Sequence, residues 1–262
     1  ETARAMAGAQ GAYYNEVMFY RHLADRTAMH TPLIYANEIS EDRLRFVTLM
    51  EDMSPAKPGS PLVGDSLEHT RTARGEAAKL AAAFYGDQSI GELDFVTASA
   101  REDGGAFGQS LLQQYWPGFL QRFGHGISEE CRAFGSRYVE HFTSFATRFK
   151  GPKTLAHGDF RSENILFDGS GACTVDWQTV CEASPVTDLA YFLGGSLELE
   201  DRRSWERDLV EQYSEMLSEL GISLGFESCW EQYREQAMHG LIITILGASF
   251  SEPAERSDAM FL

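Results

Sequence analysis

His157-Gly158-Asp159-Phe160-Arg161-Ser162-Glu163-Asn164, followed by Val175-Asp176-Trp177, is the stretch from which the rest of this chain can be read. A carboxylate, Asp159, stands five residues before an amide, Asn164, and a second carboxylate, Asp176, closes a short apolar run. Thr154 to Ala156 reads as a short approach strand. Ile165-Leu166-Phe167 and Ala172-Cys173-Thr174-Val175 are β-prone runs joined by Asp168-Gly169-Ser170-Gly171, the composition of a hairpin turn. Antiparallel pairing puts Asn164 at the start of one strand and Asp176 at the end of its partner. Both oxygen donors then meet at one end of the hairpin, and Asp159, on the loop before it, faces the same point.

Such a donor set matches phosphoryl transfer. One carboxylate takes the proton of a hydroxyl, while an amide oxygen and a second carboxylate hold Mg²⁺. Mg²⁺ asks for oxygen ligands at short, near-octahedral distances and leaves the remaining positions to phosphate and water. Taken singly, each residue has an ordinary use: Asp159 as a turn cap, Asn164 as a turn residue, Asp176 as a strand end facing water. The combination is what points to chemistry. His157 reads as a structural histidine bonded to backbone. Arg161, two residues after Asp159, reads equally as a phosphate contact and as a surface ion pair.

The surrounding sequence supplies a framework. Residues 3 to 24 read as a helix, Pro32 to Ala36 and Arg45 to Met50 as strands of a small sheet, and Ser54 to Gly64, with Pro55, Pro58 and Pro61, as a loop or lobe boundary. Leu67 to Tyr85 reads as a helix stopped by Gly86. Ser128 to Lys150 carries Cys131, Phe134, Tyr138, Phe142, Phe145 and Phe149 at spacings of three and four, one apolar helix face behind a Ser128 cap, with His141 outside it. Asp188 to Leu197, Ser204 to Leu220 and Ser228 to Leu246 read as further helices, the second stopped by Gly221. Tyr191, Trp230 and Tyr233 could line an acceptor pocket there, burial among the helices being the default expectation.

At 262 residues and 43% hydrophobic content, the chain can bury a sizeable core. Its formal charge of −17 argues against a nucleic-acid-binding face and suits a cationic substrate as well as plain solubility. Cys131, Cys173, Cys181 and Cys229 lack CxxC spacing and read as reduced cysteines of a cytoplasmic protein. No apolar run reaches transmembrane length, so no membrane partner is expected.

His157-Gly158-Asp159 with Asn164, and Val175-Asp176-Trp177-Gln178, resembles the aminoglycoside phosphotransferase and choline-kinase-like superfamily, and within it the ecdysteroid-kinase-like "phosphotransferase enzyme family" branch. Asp188-Leu189-Ala190-Tyr191-Phe192-Leu193 is similar to that family's helix after the metal-binding strand, Phe46 to Met53 to its interlobe hinge, and Glu16 to Tyr20 to its N-lobe helix. The resemblance implies an α+β, protein-kinase-like bilobal fold: residues 1–53 as a partial N-lobe with a truncated sheet, and 54–262 as a helical C-lobe carrying the catalytic and metal-binding loops. It implies ATP and Mg²⁺ as cofactors and a small-molecule hydroxyl or amino-alcohol as acceptor. By it, Asp159 is the catalytic base, with Arg161 beside it. Asn164 and Asp176 hold the metal, and Asp188 is a buried buttress that hydrogen-bonds the catalytic loop. Backbone groups of Met50, Glu51, Asp52 and Met53 receive the adenine, and Glu16 pairs with a lysine that holds the α- and β-phosphates.

One departure stands out. No Gly-rich loop and no lysine lies upstream of Glu16; the first lysine is Lys57. The chain is therefore expected to be a fragment lacking the first N-lobe strands and some C-terminal helix, and to transfer phosphate poorly alone. The alternatives are a nucleotide-binding pseudokinase or scaffold, and a two-carboxylate hydrolase using Asp159 and Asp176.

Overall fold

The computed structural model describes residues 11–97, 102–252 and 258–259. The first part of the helix expected over 3–24, residues 3–10, lies outside them. The chain divides into two compact units, Glu1–Thr97 with Pro152–Ala237, and Ala98–Gly151 with Met238–Leu262.

The first unit opens with α1 (Ala12–His22), whose last turn carries Arg21, a cation suited to a helix C-terminus, and His22. It buries Val17, Phe19 and Tyr20 but also Asn15 and Glu16. Strands β1 (Ile34–Ile39) and β2 (Phe46–Met50) pair antiparallel, Ile39 opposite Phe46 and Ile34 opposite Met50. β3 (Lys57–Pro58) lies inside the proline-rich segment and joins β5 (Ile165–Phe167) and β6 (Ala172–Thr174) in a sheet of order β3-β5-β6. The expected hairpin is β5 and β6, with Ile165 opposite Thr174. Its turn is closed by Asp168, whose Oδ1 accepts from the amides of Ser170 and Gly171 at 2.8 and 2.9 Å. β4 (Thr154–Ala156) pairs with β7 (Cys181–Ala183). Helix α2 (Leu67–Phe84) is capped by Ser66 Oγ, and the chain leaves it through Gly86 at φ +75.

These elements meet in one core. Ala73, Ala77, Leu80, Ala81 and Phe84 of α2 lie with Phe160, Ile165, Trp177 and Val180 of the central segments, and with Leu189, Phe192 and Leu193 of α5 (Thr187–Gly195). Helices α6 (Leu199–Glu219) and α7 (Phe226–Gln236) add Leu209, Val210, Tyr213, Leu217, Cys229 and Tyr233. α6 begins earlier than Ser204, with Glu200 and Asp201 in its first turn.

The second unit holds α3 (Glu102–Phe123), α4 (Glu129–Ala146) and α8 (His239–Phe250). Propensity hides α3, because it contains Gly104, Gly105, Gly108, Pro117 and Gly118. One of these glycines is a packing device. A Cβ at Gly108 would stand 2.6 Å from the Phe142 ring, so its absence lets α4 lie against α3. Gly135 of α4 accommodates Trp116 in the same way, at 2.5 Å.

Two expectations are corrected here. The apolar face of α4 is narrower than its spacing implies: Tyr138 and Phe142 are buried, Phe134 is 38% exposed, and Cys131 is exposed. The helix is also irregular at His141, because the Thr143 amide bonds to Gln109 Oε1 at 2.9 Å instead of to the preceding turn. The expected single helix over 228–246 is two, α7 and α8, divided after Ala237. At the break, the Met238 carbonyl accepts from Tyr138 Oη at 2.9 Å and from the Leu241 amide three residues on. Among the described residues, no helix is long and apolar enough to cross a membrane.

Candidate active site

β4, wholly buried, delivers the chain to His157. Gly158 then turns it at φ +84, where a Cβ would sit 2.3 Å from the Thr179 carbonyl oxygen, so only glycine fits. The turn is held from below by Asp188, in the first turn of α5. Its two carboxylate oxygens accept from the His157 and Gly158 amides at 2.8 and 3.1 Å. The His157 ring is fully buried and spans the loop and the hairpin. Nε2 lies 3.0 Å from the Val175 carbonyl and Nδ1 accepts from the Asp159 amide at 3.3 Å. That pair of bonds suits the tautomer with its hydrogen on Nε2.

These restraints aim Asp159. Its Oδ2 accepts from Asn164 Nδ2 at 3.1 Å and lies 3.4 Å from Arg161 Nε. Its Oδ1 accepts from the Tyr191 hydroxyl at 2.9 Å. Arg161 is half-buried and also pairs with Glu163 at 3.2 Å, so it belongs to the loop's interior and not to an exposed surface pair. Asn164 ends the 3₁₀ turn Ser162–Asn164, and its Nδ2 donates to both the Asp159 carbonyl, at 2.9 Å, and Oδ2. Two oxygens facing one terminus identify it as the NH₂, which makes the other the carbonyl. Among the described residues, that carbonyl, Oδ1, has no hydrogen-bond partner.

Val175 N–H donates to the Asn164 carbonyl at 3.0 Å, extending the β5–β6 ladder by one step. Asn164 and Asp176 therefore share one end of the hairpin. Asp176 is left-handed, at φ 68 and ψ 66, a conformation that costs a non-glycine residue about 1 kcal/mol. Trp177 pins it there: the indole is fully buried, stacks on Phe19 at 3.5 Å, and donates to the Thr174 carbonyl at 3.3 Å. Burial raises the proton affinity of Asp176 and the Asp159 charge adds to it, against the opposing pull of His157, the Gln178 amide and Arg161.

Helix α1 docks on the same turn. Asn15 Nδ2 donates to the Gln178 carbonyl at 3.0 Å, and Gln178 Nε2 reaches Glu16 Oε2 at 3.5 Å. Glu16 is 8% exposed, and its carboxyl is pushed up to about 7, by burial first and by the Asp176 charge second. Among the described residues, no lysine or arginine pairs with Glu16. Asp176 thus feels the charge of Asp159, and Glu16 that of Asp176, with His157 and Arg161 acting against them at Asp176, and Asn164 Oδ1 adds an unused acceptor. This donor set fits a hard cation. No group of three or more His, Cys, Asp or Glu among the described residues could hold a metal ion by itself.

Met50 to Met53 share no hydrogen bond with this cluster; their link to it is β3, which pairs with β5. The Glu51 amide donates to the Leu33 carbonyl at 2.8 Å, the Leu33 amide to Glu51 Oε2 at 3.2 Å, and Asp52 Oδ1 caps the Ser54 amide at 2.9 Å. The Met53 carbonyl accepts from Ala56 at 2.8 Å. Among the described residues, the Glu51 carbonyl and the Met53 amide are left without partners, an acceptor and a donor two residues apart.

Sequence reasoning missed several participants. Gln178 and Asn15 bind α1 to the Asp176 turn. Asp65 accepts from the Ser162 hydroxyl beneath the loop, and Ser196 Oγ takes the Ser162 amide at 3.2 Å. Tyr191 is expected from the sequence as a buried helix residue or an acceptor-pocket lining, not as a partner of Asp159. Its position three residues after Asp188, on the same helix face, was the available signal.

The sequence profile of the ecdysteroid kinase-like family matches residues 1–226. No characterised protein sequence matches the chain significantly. Among solved structures, it is similar to a glucosamine kinase in complex with glucosamine, ADP and inorganic phosphate, at 12% identity and TM-score 0.60, over 94% of this chain and 66% of that one. It is similar also to the GDP complex of aminoglycoside 2'-phosphotransferase-IIIa, at 13% identity and TM-score 0.57, over 97% and 82%. A third is an aminoglycoside phosphotransferase from Streptomyces rimosus, at 14% identity and TM-score 0.57, over 90% and 81%. At these identities the likeness establishes the protein-kinase-like α+β fold.

Proposed function

The chain belongs to the ecdysteroid kinase-like family, and on that premise we propose that it serves transfer of the γ-phosphate of ATP to a hydroxyl of a small molecule. The observation that carries this reading is the Asp159 carboxylate held on both edges beside the Asn164 side chain, whose Nδ2 it accepts from, and the left-handed Asp176 turn. Asp159 receives the proton of the acceptor hydroxyl as that oxygen attacks phosphorus. Asn164 and Asp176 would hold Mg²⁺, which would supply charge neutralisation of the phosphate oxygens. Arg161, tethered between Asp159 and Glu163, stands where charge develops on the transferring group. His157 and Asp188 keep the loop rigid. The protein's contribution is alignment and charge stabilisation.

Residues 1–53 serve the base of the nucleotide. Just after the strand ending at Met50, the Glu51 carbonyl and Met53 amide, without partners among the described residues and flanking Asp52, complement the donor–acceptor edge of an adenine. Glu16, whose buried carboxyl has no lysine or arginine partner among the described residues, is where a phosphate-holding lysine would dock. The acceptor is a polyol or amino-alcohol, cationic forms being favoured by the charge of −17. The structural relatives' names, which include glucosamine and aminoglycosides, support that class.

The absence of a cation beside Glu16 among the described residues favours a second reading, a nucleotide-binding protein without transfer. One experiment separates them. ADP release from Mg·ATP is followed in the full-length protein, with and without Mg²⁺, against an ecdysteroid, streptomycin, gentamicin and glucosamine, alongside Asp159→Asn. Transfer requires acceptor-dependent release that falls at least about 100-fold in the variant while ATP binding is kept. Undiminished turnover in Asp159→Asn defeats the first reading, and ATP binding with no turnover in the parent favours the second.

A further inference from the structure

The Asp159 carboxylate has two edges, and different parts of the chain hold them. Oδ2 is held by its own loop, through Asn164 Nδ2 at 3.1 Å and Arg161 at 3.4 Å. Oδ1 is held by Tyr191, 32 residues away on α5, at 2.9 Å. Tyr191 is 8% exposed and sits one turn beyond Asp188. One helix face therefore fixes the backbone of the catalytic loop through Asp188 and the side chain it presents through Tyr191. Burial pushes the Tyr191 phenol well up and the Asp159 charge adds to this, so the hydroxyl keeps its proton and can only donate to the carboxylate.

A carboxylate gripped on one edge can rotate about Cβ–Cγ; gripped on both, it presents fixed lone pairs. Proton acceptance at the moment of attack depends on that direction, because a hydrogen bond weakens steeply as its angle closes. We propose that Tyr191 is a positioning residue for phosphoryl transfer, its hydroxyl fixing the orientation in which Asp159 receives the acceptor's proton. This rests on the role given to Asp159 above. A phenol that merely satisfies itself on the nearest acceptor would instead support folding, and its loss would leave turnover per folded molecule unchanged.

The test is Tyr191→Phe in the full-length protein. It is assayed by ADP release from Mg·ATP with whichever acceptor of the panel above turns over fastest, or with water if none exceeds it. The expected result is a kcat lower by about 10- to 30-fold, the scale of one hydrogen bond to a charged group, with KM for ATP changed less than about twofold. Replacing Tyr191 by 4-aminophenylalanine, which keeps a donor on the same ring, should restore kcat to within about threefold. In an Asp159→Asn background, Tyr191→Phe should add less than about twofold, since the group it orients is no longer a base. Full kcat in Tyr191→Phe, failure of that variant to fold, or an undiminished effect in the Asp159→Asn background overturns the proposal. If Asp159→Asn itself turns over normally, the role of Asp159 falls and this inference falls with it. A dead Asp159→Asn beside a fully active Tyr191→Phe overturns only the positioning role.

Discussion

Around Asp159, several buried side chains are polar, and named hydrogen bonds place them: His157 on Val175, Asp188 on two amides, Asn164 on Asp159, Asn15 on Gln178. In the unit of α3, α4 and α8, the buried side chains include Leu112, Trp116, Phe119, Phe123, Tyr138, Phe142 and Ile245, and ring packing places most of these. The difference lies in what each region can tolerate. Apolar packing is non-directional, so a side chain of similar volume serves almost as well. A buried hydrogen-bond network is directional, and a group of the same shape with the wrong donor pattern leaves its neighbours unsatisfied.

Substitutions that keep shape but change chemistry should break or sharpen this contrast. The largest effect is expected at Asp188. Asp188→Ala orphans two buried amides and should destabilise the protein by about 4 kcal/mol in urea unfolding, with turnover lost. Asp188→Asn, equal in shape, should remain costly because its NH₂ must face an N–H; near-native stability in that variant would erase the contrast. Next, Phe142→Ala should cost about 3 kcal/mol by the same measurement, whereas Phe142→Leu should cost less than about 1.5.

A smaller, pH-dependent effect is expected at Glu16 in the metal-free protein. Its folded carboxyl titrates near 7, above the 4.5 of an unburied glutamate, so the folded state holds the proton more tightly. Stability from this group is complete below about 4.5 and is lost as pH rises through 7. Glu16→Gln should therefore match the parent at pH 4.5 and exceed it by about 2 kcal/mol at pH 8, from about 1.4 kcal/mol per unit reduced for partial hydration. An equal gap at both pH values would mean the carboxyl is not strained by burial. Smallest of all, Ser128→Ala should cost about 1 kcal/mol by removing the cap on the Cys131 amide, without touching turnover.

The hairpin, the shared end occupied by Asn164 and Asp176, and the paired strands before Met50 were legible because each depends on neighbours in sequence. β-propensity, turn composition and capping act over a few residues, and those rules carried the reading through 154–178. They also gave α2 almost to the residue, since Ser66 and Gly86 bracket it. The same local rules failed in the helical unit. The glycines of α3 argue against a helix until Phe142 is known to occupy the space at Gly108. The break after Ala237 is marked by the Tyr138 hydroxyl, 100 residues distant, on the Met238 carbonyl.

For the site, the sequence by itself determined which residue types stand at which spacing, and so the class of chemistry. Tertiary structure alone decided that Glu16 faces Asp176 and Gln178, that Asp176 is held left-handed under Trp177, and that Tyr191 grips the far edge of Asp159. The reason is physical. Residue type and spacing fix what a local segment can do, whereas burial, charge and hydrogen-bond direction at a site are set by segments that meet only after folding.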